Sequence, residues 1–331
     1  MDKEVMLTGI KPTGHPHVGN YIGAIKPAIE LSKEREGQAL YFIADYHALN
    51  AVQDPDKFRG YTKEVAATWL ALGFDEDVIF YRQTEVPEIM ELAYILACLT
   101  PKGLMNRAHA YKAKVDANVE AGVDVDTGVN MGLYTYPILM AADILLFRSN
   151  YVPVGKDQVQ HIEIARDIAT YFNNKFGETF VLPECIIQEE GAVVPGLDGR
   201  KMSKSYGNEI ALFEKPEKLK KLINKIKTDS SSPTDRKEPE ALFMLYKEFA
   251  TKEEIAIMRE KYETGIGWGE VKKELFYVMN RELEEPRNKY DLYMQNPHLL
   301  YEALQKGANR AREIATCNLA EIKKRIGYDV I

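Results

Sequence analysis

Four short apolar runs alternate with longer amphipathic stretches through the first two-thirds of this chain. The runs are VMLTGI at residues 5–10, ALYFIADYH at 39–47, VIFYRQ at 78–83 and NYVPVG at 150–155. The stretches of helical length between and after them cover residues 56–72, 87–99 and 157–174. Strand and helix in alternation predict an α/β fold, a doubly wound parallel sheet of the Rossmann type wrapped by helices. In such sheets ligands lie beyond the carboxyl ends of the strands. After about residue 195 the pattern becomes almost wholly helical, with helices expected over 215–228, 238–250, 252–263, 268–295 and 298–327. The polar segment DSSSPTDRKEP interrupts them. A division follows: an α/β domain over 1–195 and a loop plus an all-helical domain over 196–297. The last helix, 298–327, is expected to pack back onto the first domain.

A chain of 331 residues is long enough for a substantial core and for two unequal domains. Its net charge of −7 argues against indiscriminate coating of nucleic acid, although a local basic face remains compatible with it. Cys98, Cys185 and Cys317 are widely spaced and form no C-x-x-C pair, so neither a disulfide framework nor a structural zinc site is expected, and a reducing cytoplasm suits them. The first ten residues are too charged for a signal peptide, and no stretch is expected to span a membrane.

The first strand leads into GIKPTGHPHVGNYIGA, residues 9–24, where His15 and His17 flank Pro16 among four glycines. A metal site, a phosphate cradle and a plain turn can each use such a stretch. Zinc would need further ligands, and His47, His109, His161 and His298 show no metal-like clustering. Gly14 and Gly19 allow close backbone approach, and a helix starting near Gly19 would aim free N–H groups at an anion. Far along the chain, VVPGLDGRKMSKSYGN (193–208) reads as a mobile loop and carries KMSKS at 201–205. A lysine-bearing surface loop is the ordinary reading, yet a specified pentapeptide arises by chance in about one such chain in ten thousand. Two lysines three apart, flanked by small hydroxyl residues, can follow charge as it develops on a leaving polyphosphate.

Taken together, HVGN (His17–Asn20) resembles the first signature of the class I aminoacyl-tRNA synthetases, and KMSKS matches the second in full. Asn20 replaces the more frequent histidine, as is familiar in the branch that handles aromatic amino acids. GKDQ (Gly155–Gln158) and YPILMAAD (Tyr136–Asp143) extend the likeness over essentially the whole chain, which resembles the bacterial-type tryptophanyl-tRNA synthetases. Two alternatives stay open: a tyrosine-specific enzyme of the same class, and an inactive paralogue that binds tRNA or senses tryptophan. Intact His17, Lys201, Lys204, Asp157 and Asp143 speak against the second.

Met140 speaks against the first. In the sister tyrosine enzymes a glutamine and an aspartate on this helix together bind the phenol, whereas here Met140 precedes Asp143 by three positions. A phenol both donates and accepts a hydrogen bond; an indole N–H only donates, so one carboxylate in an apolar box suffices. Met140 offers a soft contact to an aromatic face. The resemblance implies that Leu7, His47, Tyr136, Val152 and Val154 line the same box, and that Gln158 reaches the amino acid's polar end. Leu7 stands where some relatives carry phenylalanine. A hydrogen bond to a charged group contributes about 1.5–3 kcal/mol. A site built on one rejects a substrate lacking its donor by about 10⁴-fold. No insert large enough for an editing domain is visible.

The implied reaction joins the tryptophan carboxylate to the α-phosphate of ATP, releases pyrophosphate, and passes tryptophan to tRNA(Trp). The nucleophile is already ionised, so no general base is needed. His17 and Asn20 are assigned to phosphate contacts, and Lys201 and Lys204 to the moving charge. Lys11 and one of Lys112 or Lys114 are candidates for the pyrophosphate side. The remaining ATP contacts implied are Pro12, Thr13, Gly19, Gly155, Lys156, Asp157, Val194, Met202, Ser203 and Ser205. Gly155 and Asp157 are expected at the ribose and Val194 at adenine. Mg²⁺ is expected with the triphosphate, without a dedicated carboxylate cage or structural metal. Residues 200–237 hold eleven Lys/Arg against five Asp/Glu, a basic span that suits tRNA. The helical domain is the expected anticodon reader, and the resemblance implies a homodimer.

Overall fold

The computed structural model describes residues 4–34, 37–74, 77–187, 194–238 and 241–328. Five strands form one sheet: β1 (Val5–Ile10), β2 (Gln38–Ile43), β3 (Ile79–Arg82), β4 (Tyr151–Val154) and β5 (Glu184–Ile187). All pairings are parallel and the spatial order is β3-β2-β1-β4-β5. The chain therefore starts at the centre, winds one way through β2 and β3, and returns to the other side of β1. This is the doubly wound α/β topology expected from the alternation, and a crevice opens where the winding reverses between β1 and β4. β5 is the strand that the apolar runs do not announce. It lies at the sheet edge, where Glu184 and Ile187 are exposed, so no continuous apolar run is required of it.

The crossover after β1 is a helical turn, α1 (Val18–Asn20), a π-turn (Tyr21–Ile25) and α2 (Lys26–Glu34). After β2 come α3 (Asp45–Ala48) and α4 (Pro55–Leu72), the latter started by Asp54 accepting from the Asp56 and Lys57 N–H groups. After β3 follow a 3₁₀ turn (Gln83–Glu85), α5 (Glu88–Leu99), α6 (Lys102–Met105), α7 (His109–Glu120) and α8 (Met131–Leu146). A 3₁₀ turn (Lys156–Gln158) and α9 (Val159–Phe176) join β4 to β5. The helical part contains α10 (Pro216–Asn224), α11 (Ala241–Tyr246), α12 (Lys252–Thr264), α13 (Trp268–Gln295) and α14 (Pro297–Arg325). Two of these are shorter than their sequence spans of 215–228 and 238–250. Residues 239 and 240 of the latter lie outside the described residues, as does Val193 of the predicted loop.

Three apolar clusters result. One fills the sheet face beneath α5, α8, α9 and α14; a second fills the opposite face with α2 and α4. The third joins α10–α13, and it also takes in Val18, Ile22, Met202, Ile210 and Leu212. Both signature segments are thus rooted in the core of the helical part. No helix among the described residues is long and apolar enough to cross a membrane.

α14 leaves the helical cluster and lies along β3 and α5. Its facing residues are small, with Ala308, Ala311 and Ala315 fully buried. Arg312 donates to both oxygens of Glu88, and Thr316 donates to one of them. At Gly307 the approach is closest: a Cβ there would stand 1.7 Å from the Phe80 carbonyl oxygen. We expect Gly307→Ala to cost about 1–3 kcal/mol through overpacking against immovable backbone. Gly60→Ala, on α4 with open space around it, is expected to gain up to about 1 kcal/mol. Urea denaturation of the two variants beside the parent checks this, and equal shifts would contradict the close packing.

Candidate active site

A cavity of about 880 Å³ opens at the carboxyl ends of β1, β2 and β4. Leu7, Phe42, Met140, Ile144, Val152 and Val154 line its apolar end, where His47, Tyr136 and Asp143 supply the polar atoms. Lys11, His17, Gly19, Asn20, Gly155, Asp157, Gln158, Val194, Lys201, Met202, Ser203 and Ser205 line the remainder.

His17 is the residue before α1 and caps it reciprocally. Its Nδ1 accepts from the Asn20 N–H, and the Asn20 Oδ1 accepts from the His17 N–H. With Nδ1 an acceptor, the ring proton of a neutral His17 sits on Nε2. Asn20, its carbonyl occupied, has only its NH₂ left to offer a ligand. Burial, reinforced by the Lys204 ammonium and opposed by Glu209, lowers the His17 pKa to about 4. This end of the cleft therefore presents neutral donors and a helix start, the chemistry of an anion cradle.

The two signatures, about 185 residues apart in sequence, are brought together by backbone pairing. Val18 N–H donates to the Ile210 carbonyl and Leu212 N–H to the Pro16 carbonyl. The Met202 sulfur, almost fully buried, accepts from Gly19 N–H at 3.2 Å. The described part of the KMSKS loop is organised by Asn208. Its Oδ1 accepts from Ser203 N–H, and its Nδ2 donates to Asp198 and to the Lys201 carbonyl. Lys204 does not line the cleft; its ammonium rests on Gly14, whose φ of +155° and missing Cβ make the space. Desolvation lowers the Lys204 pKa, with Glu209 and Glu64 acting the other way.

At the apolar end Asp143 is buried on α8 with 1% exposure. The apolar neighbours of Asp143 in sequence favour a buried, paired carboxylate, and the structure shows its partners to be His47, expected in the same box, and Gln83, which was not. Gln83 Nε2 donates to both of its oxygens at 2.8 and 3.0 Å, and His47 Nε2 meets Oδ2 at 2.9 Å. Burial raises the Asp143 pKa, while His47 and Gln83 pull it down. Tyr136 hydroxyl pairs with Nε2 of His161, a buried residue whose Nδ1 has no partner among the described residues. Burial first, then the charge of Lys11, lowers the His161 pKa to about 4.

Other residues singled out in the sequence either do not line the cleft or are engaged with a neighbour. Pro12, Thr13, Lys156, Lys112 and Lys114 do not line it; the last two lie on α7, with Lys114 packed against Gly128. Gln158 donates to Asp157 at 2.7 Å, so its amide is engaged at the ribose end expected for Asp157. His15 is exposed and pairs with Glu64 on α4, outside the cradle. Among the described residues no group of three or more His, Cys, Asp or Glu side chains could hold a metal ion. Gln83, Phe42, Ile144, Asn208 and His161 escaped the sequence reading. Gln83 carried one usable signal: it ends an apolar run at a strand's carboxyl end, where polar residues tend to be functional.

The sequence matches the family model described as tRNA synthetases class I (W and Y) over residues 2–284. The tryptophan–tRNA ligase of Pseudomonas aeruginosa is 52% identical over 328 residues, 97% of this chain and 73% of that one. The tryptophan–tRNA ligase of Neisseria meningitidis is 50% identical over 331 residues, 99% of this chain and 98% of that one. The crystal structure of Campylobacter jejuni tryptophanyl-tRNA synthetase complexed with ADP and tryptophan is similar at TM-score 0.86 and 43% identity, covering 98% of this chain and 99% of that chain.

His17 and His161 titrate near pH 4 when folded, against 6.5 when unfolded. Between those values the unfolded chain binds more protons, so their contribution to stability is lost as pH falls from about 6.5 toward 4. We expect His161→Gln to show a shallower acid loss of stability than the parent over that window. Denaturation curves at a series of pH values check it; parallel losses would contradict it.

Proposed function

The chain belongs to the class I tRNA synthetases for tryptophan and tyrosine, and from that premise we propose that it is a tryptophan–tRNA ligase. One observation carries the choice of amino acid: at the closed apolar end of a cleft whose open end is an anion cradle, buried Asp143 is accompanied in the lining by Met140, three positions before it, where the tyrosine enzymes carry a glutamine. The relatives named tryptophan–tRNA ligase, about half identical over nearly the whole chain, support it. ATP as co-substrate accords with the ADP and tryptophan of the Campylobacter complex.

In this reading the indole lies among Leu7, Phe42, Met140, Ile144, Val152 and Val154 and donates its N–H to Asp143. Tyr136 and His47 bound the same box. The amino acid's carboxylate attacks the α-phosphorus of ATP. A carboxylate oxygen–phosphorus bond forms, the bond to the bridging oxygen breaks, and pyrophosphate leaves with the electron pair. No proton moves in this step, so the work of the chain is orientation and charge stabilisation. Neutral His17 donates from Nε2, Asn20 from its NH₂, and Lys201 and Lys11 face the cleft with positive charge. Lys204 acts from Gly14 once its ammonium swings toward the leaving group. Gly155 and Asp157 hold the ribose and Val194 borders the adenine. Magnesium would accompany the triphosphate and help to neutralise its charge.

We assign residues 1–195, with α14 lying against them, to catalysis, and 196–297 to the KMSKS loop and anticodon reading. The basic span 200–237 supports that assignment. The second step delivers tryptophan to the terminal ribose of tRNA(Trp). We place the chain in the cytoplasm, in keeping with its free cysteines. We also propose a homodimer: Leu49 and Met131 are exposed on neighbouring segments, since Gly132 packs on Asn50.

ATP–pyrophosphate exchange tests the proposal. Tryptophan is expected to stimulate exchange and tyrosine to do so by orders of magnitude less; stimulation by tyrosine alone would overturn the assignment. Asp143→Ala is expected to raise the KM for tryptophan by about 10–100-fold, matching a lost charged hydrogen bond. Lys204→Ala is expected to lower the activation rate by about 10²–10³-fold with a smaller effect on KM. Normal kinetics in both variants would discredit the site map.

A further inference from the structure

We infer that Gln83 is a specificity-determining positioning residue: clamped between the Tyr46 backbone and both oxygens of Asp143, it fixes the carboxylate as an acceptor for a ring N–H and withholds its own amide from the substrate. This rests on the ligase reading and deepens it.

Gln83 is fully buried behind Asp143 and does not line the cavity. Its Oε1 accepts from the Tyr46 N–H at 3.1 Å. A backbone N–H can only donate, so the amide oxygen must face Tyr46 and the NH₂ must face Asp143. There it reaches both carboxylate oxygens. His47, the next residue after Tyr46, closes a ring by meeting Oδ2 from the other side. The adjacent residues reinforce the clamp, because Asp45 Oδ1 accepts from Thr84 N–H and Oδ2 from the Thr84 hydroxyl. The 3₁₀ turn after β3 and the helix after β2 are thereby locked together around Asp143.

A carboxylate offers about four lone-pair directions; here one Gln83 N–H bridges both oxygens and His47 meets Oδ2. What remains toward the cleft is a single acceptor direction. An indole N–H completes it. A phenol would also need a donor for its own oxygen, and the amide able to supply one is turned away and occupied. An oxygen left unpaired in the apolar box costs about 1–3 kcal/mol. Discrimination against tyrosine therefore depends on where the amide sits as much as on Met140.

Asp143 is faced by His47 from α3 and Tyr81 from β3, with Asp45, Arg82 and Glu85 forming a separate cluster behind. Removing this bridging donation in Gln83→Met weakens support for the ionised form, so Asp143 protonates more readily as pH falls. In Gln83→Glu the two adjacent buried carboxyls share a proton, because burial and like charge disfavour the second ionisation. Losing it at higher pH leaves two adjacent like charges. The two variants thus have opposite pH signatures.

The experiment measures ATP–pyrophosphate exchange between pH 6 and 8.5, with tryptophan and with the isostere in which sulfur replaces the ring N–H. Melting temperatures are recorded alongside. In Gln83→Met the preference for tryptophan over the isostere is expected to fall at least about tenfold, equivalent to about 1.4 kcal/mol. The change should reside in the KM for tryptophan, which rises toward pH 6, while kcat stays within about threefold. In Gln83→Glu the KM for tryptophan should rise toward pH 8.5 instead. An unchanged preference with a flat KM profile, or an equal loss of kcat with both substrates, overturns the inference. Should Gln83→Met not fold, a flat KM profile in Gln83→Glu overturns it equally. If the parent chain shows no tryptophan-dependent exchange, the ligase reading fails and takes this inference with it.

Discussion

A carboxylate removed from water must be surrounded by donors or surrender its charge, and much of this structure follows from how Asp143 meets that demand. Apolar residues of α8, β1, β2 and β4 exclude solvent around it. An amide and an imidazole approach it from behind and from the side. The amide is itself held by the Tyr46 backbone N–H, and the two turns are tied together through Asp45 and Thr84. The sheet supplies the frame: β2 and β3 lie side by side, so the turns leaving their carboxyl ends meet under the same α8 residue. In the proposed reading, recognition of a flat, single-donor heterocycle is a consequence of strand order as well as of side-chain identity.

The opposite end of the cleft solves a different problem, holding a polyanion without a pre-existing buried positive charge. His17 is kept neutral by burial and by Lys204, so it serves as an oriented donor, and the helix start adds backbone dipoles. Mobile cations are kept at the rim on the KMSKS loop. Met202, Ile210 and Leu212 belong to the core of the helical part, and Met202 and Ile210 accept from the Gly19 and Val18 N–H groups, so that core is bonded directly to the cradle. The same geometry explains why the loop can be both anchored and responsive. Asn208 fixes its base, while Lys201, Lys204 and Ser205 stay exposed.

The architecture was legible where burial on both faces forces continuous apolar sequence, as in β1 and β2, and where amphipathic periods run long, as in α4, α9, α13 and α14. It was not legible at β5, whose edge position removes that requirement. At the site, motif spacing pointed to the segments that converge, because turns and helix starts are written locally. Of the partners of Asp143, His47 was expected in the box, whereas Gln83 was hidden for the opposite reason. Gln83 lies 60 residues from Asp143, and only strand order brings them together. Lys112 and Lys114 illustrate the converse: their charge invites a role at phosphate, but on α7 they do not line the cleft.

The most direct measurement of the central claim is a crystal structure of this chain with tryptophan bound. The account predicts the indole nitrogen about 2.7–3.1 Å from an Asp143 oxygen, with Gln83 and His47 still on that carboxylate. An indole nitrogen directed elsewhere, or an Asp143 that turns to bulk solvent when tryptophan binds, would contradict it.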